Sequence, residues 1–500
     1  MLTTLLSSLL ALLLSIFPPV VVAALPLLVT SATAILVMLH ISIQRNHWWN
    51  ATLTVVGLNV GLAAAVLGYF LVHQVGVITV TPLLQIDGFA CFYMVLVLVG
   101  TLACATLSQA YLDGFPGNKE EMYLLLSISA LGALVLVCSH NLASLFIGVE
   151  LLSVPVYGMI AYAFRLQKSL EAGIKYMVLS AAASAFMLFG MALLYADAGS
   201  LSFNSLAIFL TVGIKSPLEL AGLAMMLVGF GFKLSLAPFH LWTPDVYEGA
   251  PAPVSAYLAS VSKIAMFAVF TRFMAAPGFI HSPVLTNLLT VVAIASIVAG
   301  NLLALLQTNI KRLLGYSSIA HFGYLLVAVV AGRGGMLTVS MYLVTYMVTT
   351  LAAFGAVTLM SSPYQGKDAD ALHEYRGLFW RRPFLTAVLT VAMLSLAGIP
   401  MTAGFIGKFF IALIGVDGHM WWLLGALVIG SAIGLFYYLR VVITLYLPSA
   451  GMRRYDAPRN WGRRFGGIMV LGLAALTLAI GFYPEPVVLV LKDARAIFLP

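Results

Sequence analysis

The 500 residues are 62 % hydrophobic and 8 % charged, with a mean hydropathy of +1.05. Soluble domains carry about 25 % charged residues, so a soluble globular protein is excluded. The net charge of +8, from 25 Lys and Arg against 17 Asp and Glu, does not point to nucleic acid, because no basic run alternates with aromatics on a polar face; in a membrane chain it marks loops held on the cytoplasmic side.

A bilayer-crossing helix needs roughly 20 apolar residues, and the chain has room for about fourteen. The expectation is therefore an all-α, polytopic membrane bundle. Residues 1–17 are apolar and stop at Pro18-Pro19 without the basic flank of a secretory signal. They are short for a span, so 1–19 reads as an N-terminal extension of uncertain order. Three spans follow within 20–110, near 20–42, 51–73 and 87–110. A block over 121–272 holds spans near 121–138, 141–163, 172–195, 220–241 and 250–272. A second block, 286–446, holds spans near 286–306, 311–331, 336–360, 384–412 and 420–446. A last span lies at 466–488.

With an even span count both termini share one side. Placing them outside, in the periplasm, puts Arg45, Lys119, Arg165, Lys168, Lys175, Lys311 and Arg312 at the inner side. Lys367, Arg376, Arg381, Arg382, Arg440, Arg453, Arg454, Arg459, Arg463 and Arg464 join them, leaving Lys215, Arg272, Arg333, Lys492 and Arg495 outside. That asymmetry fits a bacterial cytoplasmic membrane. Cys91, Cys104 and Cys138 lie in apolar stretches, with no CxxC and no His at metal spacing, and read as packed thiols.

Four charges fall inside spans: Glu150, Lys233, Lys263 and Lys408. A mid-membrane charge costs at least about 2.5–3.5 kcal/mol on insertion scales and faces protein or water. One carboxylate cannot neutralise three lysines, and a buried lysine without a partner sheds its proton readily, which suits a relay. Ser235-Leu236-Ala237-Pro238 in the seventh span is echoed by Ser395-Leu396-Ala397-Gly398-Ile399-Pro400 in the twelfth. Pro238, Gly398 and Pro400 should break both helices mid-membrane. Each broken helix is fourth in a block of five, spans 4–8 and 9–13. Five is odd, so the blocks run in opposite directions, as inverted repeats, and paired broken helices point to a transport site.

His321 is mid-span and is a further proton-carrying candidate. His240, Trp242, Asp245 and Glu248 read as helix-end or loop residues, Lys311 and Arg312 as interfacial anchors, and Asp87 as an interfacial cap. No P-loop, Gly-rich dinucleotide motif, zinc motif or nucleophile elbow is present in the sequence.

The stretches Gly231-Phe232-Lys233-Leu234-Ser235-Leu236-Ala237-Pro238-Phe239-His240-Leu241-Trp242-Thr243-Pro244-Asp245 and Asn309-Ile310-Lys311-Arg312-Leu313-Leu314-Gly315-Tyr316-Ser317-Ser318, with Leu396–Phe409, strongly resemble the antiporter-like subunit N of bacterial respiratory complex I, the proton-pumping NADH:quinone oxidoreductase. The likeness runs from about residue 20 to the C-terminus; the apolar first 17 residues depart from it. The resemblance implies fourteen helices and a hydrophilic axis halfway across the bilayer. It makes Glu150 and Lys233 a Glu–Lys pair, Lys263 the central relay lysine and Lys408 the terminal one. It also implies that FMN, iron–sulfur clusters and the quinone site belong to other subunits. The expected partners are other membrane-arm subunits, including neighbouring antiporter-like ones, a lateral helix from another subunit, and lipid. A free-standing cation/proton antiporter with the same lysines and a purely structural anchor are the alternative readings.

Overall fold

Apolar runs of this length can satisfy their backbone polar groups in lipid only by coiling into helices or closing a barrel, and this chain coils. The computed structural model describes residues 2–113, 117–210, 216–275, 282–361, 368–448, 456–458 and 460–496. Lys215, Lys367, Arg453, Arg454 and Arg459, used above to weigh the loops, lie outside the described residues.

The helices of eight residues or more in chain order are α1 Leu2–Ile16, α2 Pro19–Ile43, α3 His47–Val75, α4 Gly88–Leu112, α5 Glu121–Val137, α6 Leu142–Ile160, α7 Gln167–Ala198 and α8 Phe203–Leu210. Then come α9 Pro217–Lys233, α10 Trp242–Gly249, α11 Ala252–Met274, α12 Pro283–Leu305, α13 Ile310–Val330 and α14 Gly335–Ser361. The last are α15 Pro383–Ala397, α16 Ala403–Asp417, α17 Trp421–Tyr446, α18 Phe465–Phe482 and α19 Glu485–Ala496. Among the described residues eleven helices are long and apolar enough to cross a membrane. The other three expected spans are one short helix, α5, and the two interrupted ones.

Both ends of the helical array differ from the sequence reading. Residues 2–16, expected to be of uncertain order, form a helix resting on α2 and α3; at 1.5 Å per residue its 15 residues fall short of the ~30 Å hydrocarbon core. The final span stops at Phe482, and Pro484 separates it from α19.

The two five-helix blocks repeat their packing. α5 packs on α6 and α7 on α9 in the first; α12 packs on α13, and α14 on α15 and α16, in the second. α11 and α14 run through the centre and are wholly buried over their apolar windows, as expected of helices enclosed by others.

The connections cluster at two ends. At one, the hairpin of β1 (Ile78–Thr81) and β2 (Leu84–Ile86) bridges to Ser139, and Asn141 bridges to Ser202. Here Asp87 caps α4, accepting from the Ala90 amide at 2.7 Å, and also takes two hydrogen bonds from Arg272 at 2.7 and 2.8 Å. Asp87 is therefore not an interfacial cap alone, nor Arg272 a loop charge: both are buried, and the guanidinium stacks on Phe89. Burial and that guanidinium hold the neighbouring His140 imidazole below its usual pKa.

The opposite end collects basic residues. Arg45 pairs with Glu121, Arg381 and Arg382 with Asp456, and Arg440 donates to the carbonyls of Leu305 and Gln307.

Candidate functional site

Both predicted breaks are present, and each is built from the residues expected. α9 ends at Lys233; Ser235 takes a positive φ of 61°, and the chain passes through a cis Ala237-Pro238 bond before re-entering a helix at Trp242. The exposed polar groups of the break are met locally. Leu236 N–H donates to Gly231 C=O at 2.7 Å, Ala237 N–H to Ser296 Oγ at 2.9 Å, and Trp242 Nε1–H to Phe232 C=O at 3.0 Å. Hence Trp242, Asp245 and Glu248, read as helix-end or loop residues, stand on a short second helix.

In the other block α15 stops at Gly398, φ +85°, whose N–H returns to Leu394 C=O. Pro400 and Met401 follow, and Gly404 N–H donates to Ser395 Oγ at 2.9 Å as α16 begins.

Each break brings a lysine to the carbonyl end of a half-helix, where the dipole favours a cation. Lys233 is the last residue of α9, and its Nζ donates to Ser153 Oγ at 2.6 Å and Ser180 Oγ at 2.7 Å. Lys408 Nζ donates to the carbonyl of Ala397, the last residue of α15, at 2.8 Å, with the Tyr324 ring 5.3 Å away. Lys263 follows a π-helical turn, Leu258–Ser262, and is wholly enclosed. Its Nζ donates to Ser318 Oγ at 2.6 Å between the rings of Phe322 and Tyr247.

Glu150 stands one turn before Ser153 on α6, and its Oε1 has no hydrogen-bond partner. Among the described residues Lys233 bonds two serines and forms no direct ion pair with Glu150. Tyr157 joins the same cluster through Ser180 at 2.9 Å.

His321 is buried, with Nδ1 2.6 Å from Tyr342 Oη and Nε2 3.1 Å from Tyr438 Oη. These tyrosines belong to a run of hydroxyls absent from the sequence reading. Tyr346 donates to Ser318 at 2.9 Å, Ser317 bonds Tyr438, Tyr437 donates to Asn301 at 3.1 Å, and Asn301 donates to Tyr324 at 2.9 Å. The run leads from Lys263 past His321 to the ring beneath Lys408. Tyr342 and Tyr346 sit four apart on α14, a same-face spacing, but in an apolar span nothing distinguishes such a pair from packing aromatics. Between Lys233 and Lys263 the ground is aromatic instead, through Tyr176, Trp242 and Tyr247. His240, in the break, keeps both ring nitrogens without partners.

Lys311 is not an interfacial anchor but a buried charge. Lys311 is 1 % exposed and pairs with Asp368 at 2.5 Å. Arg312 bridges Asp245 and Glu248 at 2.6 and 2.9 Å, and those carboxylates also hold Lys175 and Lys168. No cluster of three or more His, Cys, Asp or Glu suited to a metal occurs among the described residues.

Comparison with known proteins gives a consistent result. Residues 139–434 match the family described as NADH:quinone oxidoreductase/Mrp antiporter, TM. The NADH-quinone oxidoreductase subunit N of Ectopseudomonas mendocina (strain ymp) is 59 % identical over 96 % of this chain and 97 % of its own. That of Chromohalobacter salexigens is 58 % identical over 93 % and 96 %. A chain of respiratory complex I from Thermus thermophilus with bound aureothin superposes with a TM-score of 0.79 at 32 % identity, covering 93 % of this chain and 98 % of that one. The Mrp complex of Dietzia sp. DQ12-45-1b shares the fold, with a TM-score of 0.82 at 20 % identity and coverage of 95 % and 97 %. The chain is thus a multi-pass membrane protein of the antiporter-like subunit N family of NADH-quinone oxidoreductase.

Proposed function

We propose that Glu150, Lys233, Lys263 and Lys408 carry protons through this membrane-arm subunit, with His321 as a further relay member. The observation that carries the reading is the setting of the three lysines: each ammonium is held by neutral hydroxyls or carbonyls, two of them where a transmembrane helix is interrupted. A lysine held by dipoles can gain and lose a proton without stranding a buried anion, and moving one charge against the membrane potential costs about 2.3 kcal/mol per 100 mV. Motion of the unpartnered Glu150 carboxylate toward or away from Lys233 would alternately hold and release that proton. Water would meet the unpaired nitrogens of His240. The driving redox chemistry, with FMN, iron–sulfur clusters and quinone, is assigned in this reading to partner subunits.

The same reading takes all fourteen sequence spans as crossings of a bacterial inner membrane, with the basic end cytoplasmic and both termini periplasmic. Neighbouring antiporter-like subunits, a lateral helix from another subunit and lipid would cover the apolar exterior.

The test uses the assembled complex in proteoliposomes. Lys233→Ala and Glu150→Ala should each depress NADH-driven proton uptake at least about tenfold. Unchanged rate and H⁺/e⁻ ratio in both would remove these residues from the path.

A further inference from the structure

At the basic end, a cavity of about 300 Å³ is lined by Tyr111, Arg165, Lys168, Glu248, Ala250 and Asp368. It adjoins a larger one of about 760 Å³ that shares Tyr111 and Arg165. Asp368 is part of the cavity's lining. Its Oδ1 accepts from Tyr111 Oη and its Oδ2 from Lys311 Nζ, each at 2.5 Å. Lys311 Nζ also donates to the carbonyl of Ala250, another wall residue, at 2.7 Å. Asp368 and Ala250 thus line the cavity, and Lys311, 1 % exposed, is held behind them.

Lys311 begins the helix that reaches Lys263. Ser318, the Lys263 partner, lies seven residues on, which is two turns along the same face and about 10.5 Å of rise. Between them comes Gly315, the small residue that admits a neighbour: a Cβ there would stand 3.5 Å from the Tyr247 ring. That ring is 5.6 Å from Lys263 Nζ. Its buried hydroxyl lies beside Ser318, the hydroxyl that holds the Lys263 ammonium.

We infer that Asp368 and Lys311 form the inlet by which Lys263 takes protons from the basic-end water, with Tyr247 as the stepping stone. This rests on the relay reading of Lys263. A proton from cavity water neutralises the Asp368 carboxylate. Lys311 gives a proton inward, by way of Tyr247 and intervening water, to the Lys263 amine, and Asp368 then reprotonates Lys311. Asp368 and Lys311 return to their starting states, and one proton has moved from the cavity to Lys263.

The pair also fastens the start of α13 to the 368–371 segment, so the test separates transfer from fastening. Purified complex carrying Asp368→Asn is assayed in liposomes for NADH:quinone turnover, with ionophores to remove back-pressure, with and without sodium azide. Azide is a small acid that the cavity can admit. Turnover should fall at least about tenfold, and azide should restore it several-fold, while leaving Lys263→Met complex unrestored. Wild-type turnover in Asp368→Asn, or a loss that azide does not restore, overturns the inlet. Should Asp368→Asn fail to assemble, the double variant Asp368→Asn/Lys311→Met removes both buried charges; it should also turn over at least tenfold more slowly, and a wild-type rate in it overturns the proposal. The Lys263→Met complex tells the two readings apart. If it keeps full proton stoichiometry, the relay itself has failed; if it loses pumping while Asp368→Asn does not, the inlet alone has.

Discussion

At Gly398 two independent demands meet. Its φ of +85° is a conformation that side chains rarely adopt, and a Cβ there would stand 2.8 Å from Lys408 Cδ and 3.2 Å from its Nζ. The glycine therefore ends α15 and leaves room for the lysine that caps it. Gly398→Ala should strain the turn by roughly 1–2 kcal/mol and displace the ammonium. The expected outcome is assembled complex in near-normal amount with a lowered proton-pumping rate per complex, read by comparing immunoblot with proton uptake. At this scale the sequence was legible where chemistry stands out against lipid: a Lys, a Glu or a Pro in an apolar run declares itself. Ser318, Tyr346 and Tyr438 did not, because hydroxyl side chains can bond their own helix and pass as packing. Asp368 did not either, since its partner Lys311 lies 57 residues away and was read as an end-of-span anchor.

Among the elements, the interrupted helices were readable because Pro and Gly act on the backbone itself. The register of the first break was less so: α9 ends at Lys233, five residues before Pro238, and the chain then forms a second half-helix carrying Asp245 and Glu248. The π-helical turn before Lys263 had no sequence signal, being a packing adjustment in a wholly buried helix of the kind often found at functional sites. At the hairpin end, Asp87 ties the start of α4 to the end of α11 through Arg272. Asp87→Ala removes a cap and orphans a buried guanidinium, a loss of about 3–5 kcal/mol. The midpoint of thermal inactivation of the detergent-solubilised complex should drop. Adding Arg272→Met should recover part of the loss, whereas no change in the single variant would show the pair to be dispensable.

For the whole molecule, the pattern of apolar runs foretold an all-helical bundle, and the loop charges foretold one basic end. They did not give the two-ended lattice of loop contacts, which depends on residues far apart in sequence, such as Asn309 against Ala371. The inward reading of the basic end predicts opposite labelling in intact cells. Cys91, Cys104 and Cys138 are buried and should stay silent to a membrane-impermeant thiol reagent. Thr81→Cys, in the hairpin, should react from outside the cell, and His373→Cys only after the membrane is opened. The reverse pattern would invert the topology.

The contrast between the two kinds of buried cation has a further meaning. Arg272 is matched by a full opposing charge, so the pair is neutral only while both stay ionised, and it is permanent. Among the described residues, no carboxylate forms an ion pair with Lys233, Lys263 or Lys408. A site lined by partial charges is tolerable whether its occupant is ammonium or amine. The molecule can thus be read as a vessel with a fixed rivet at Arg272, whose guanidinium keeps its charge, and open cradles at Lys233, Lys263 and Lys408, whose filling can vary.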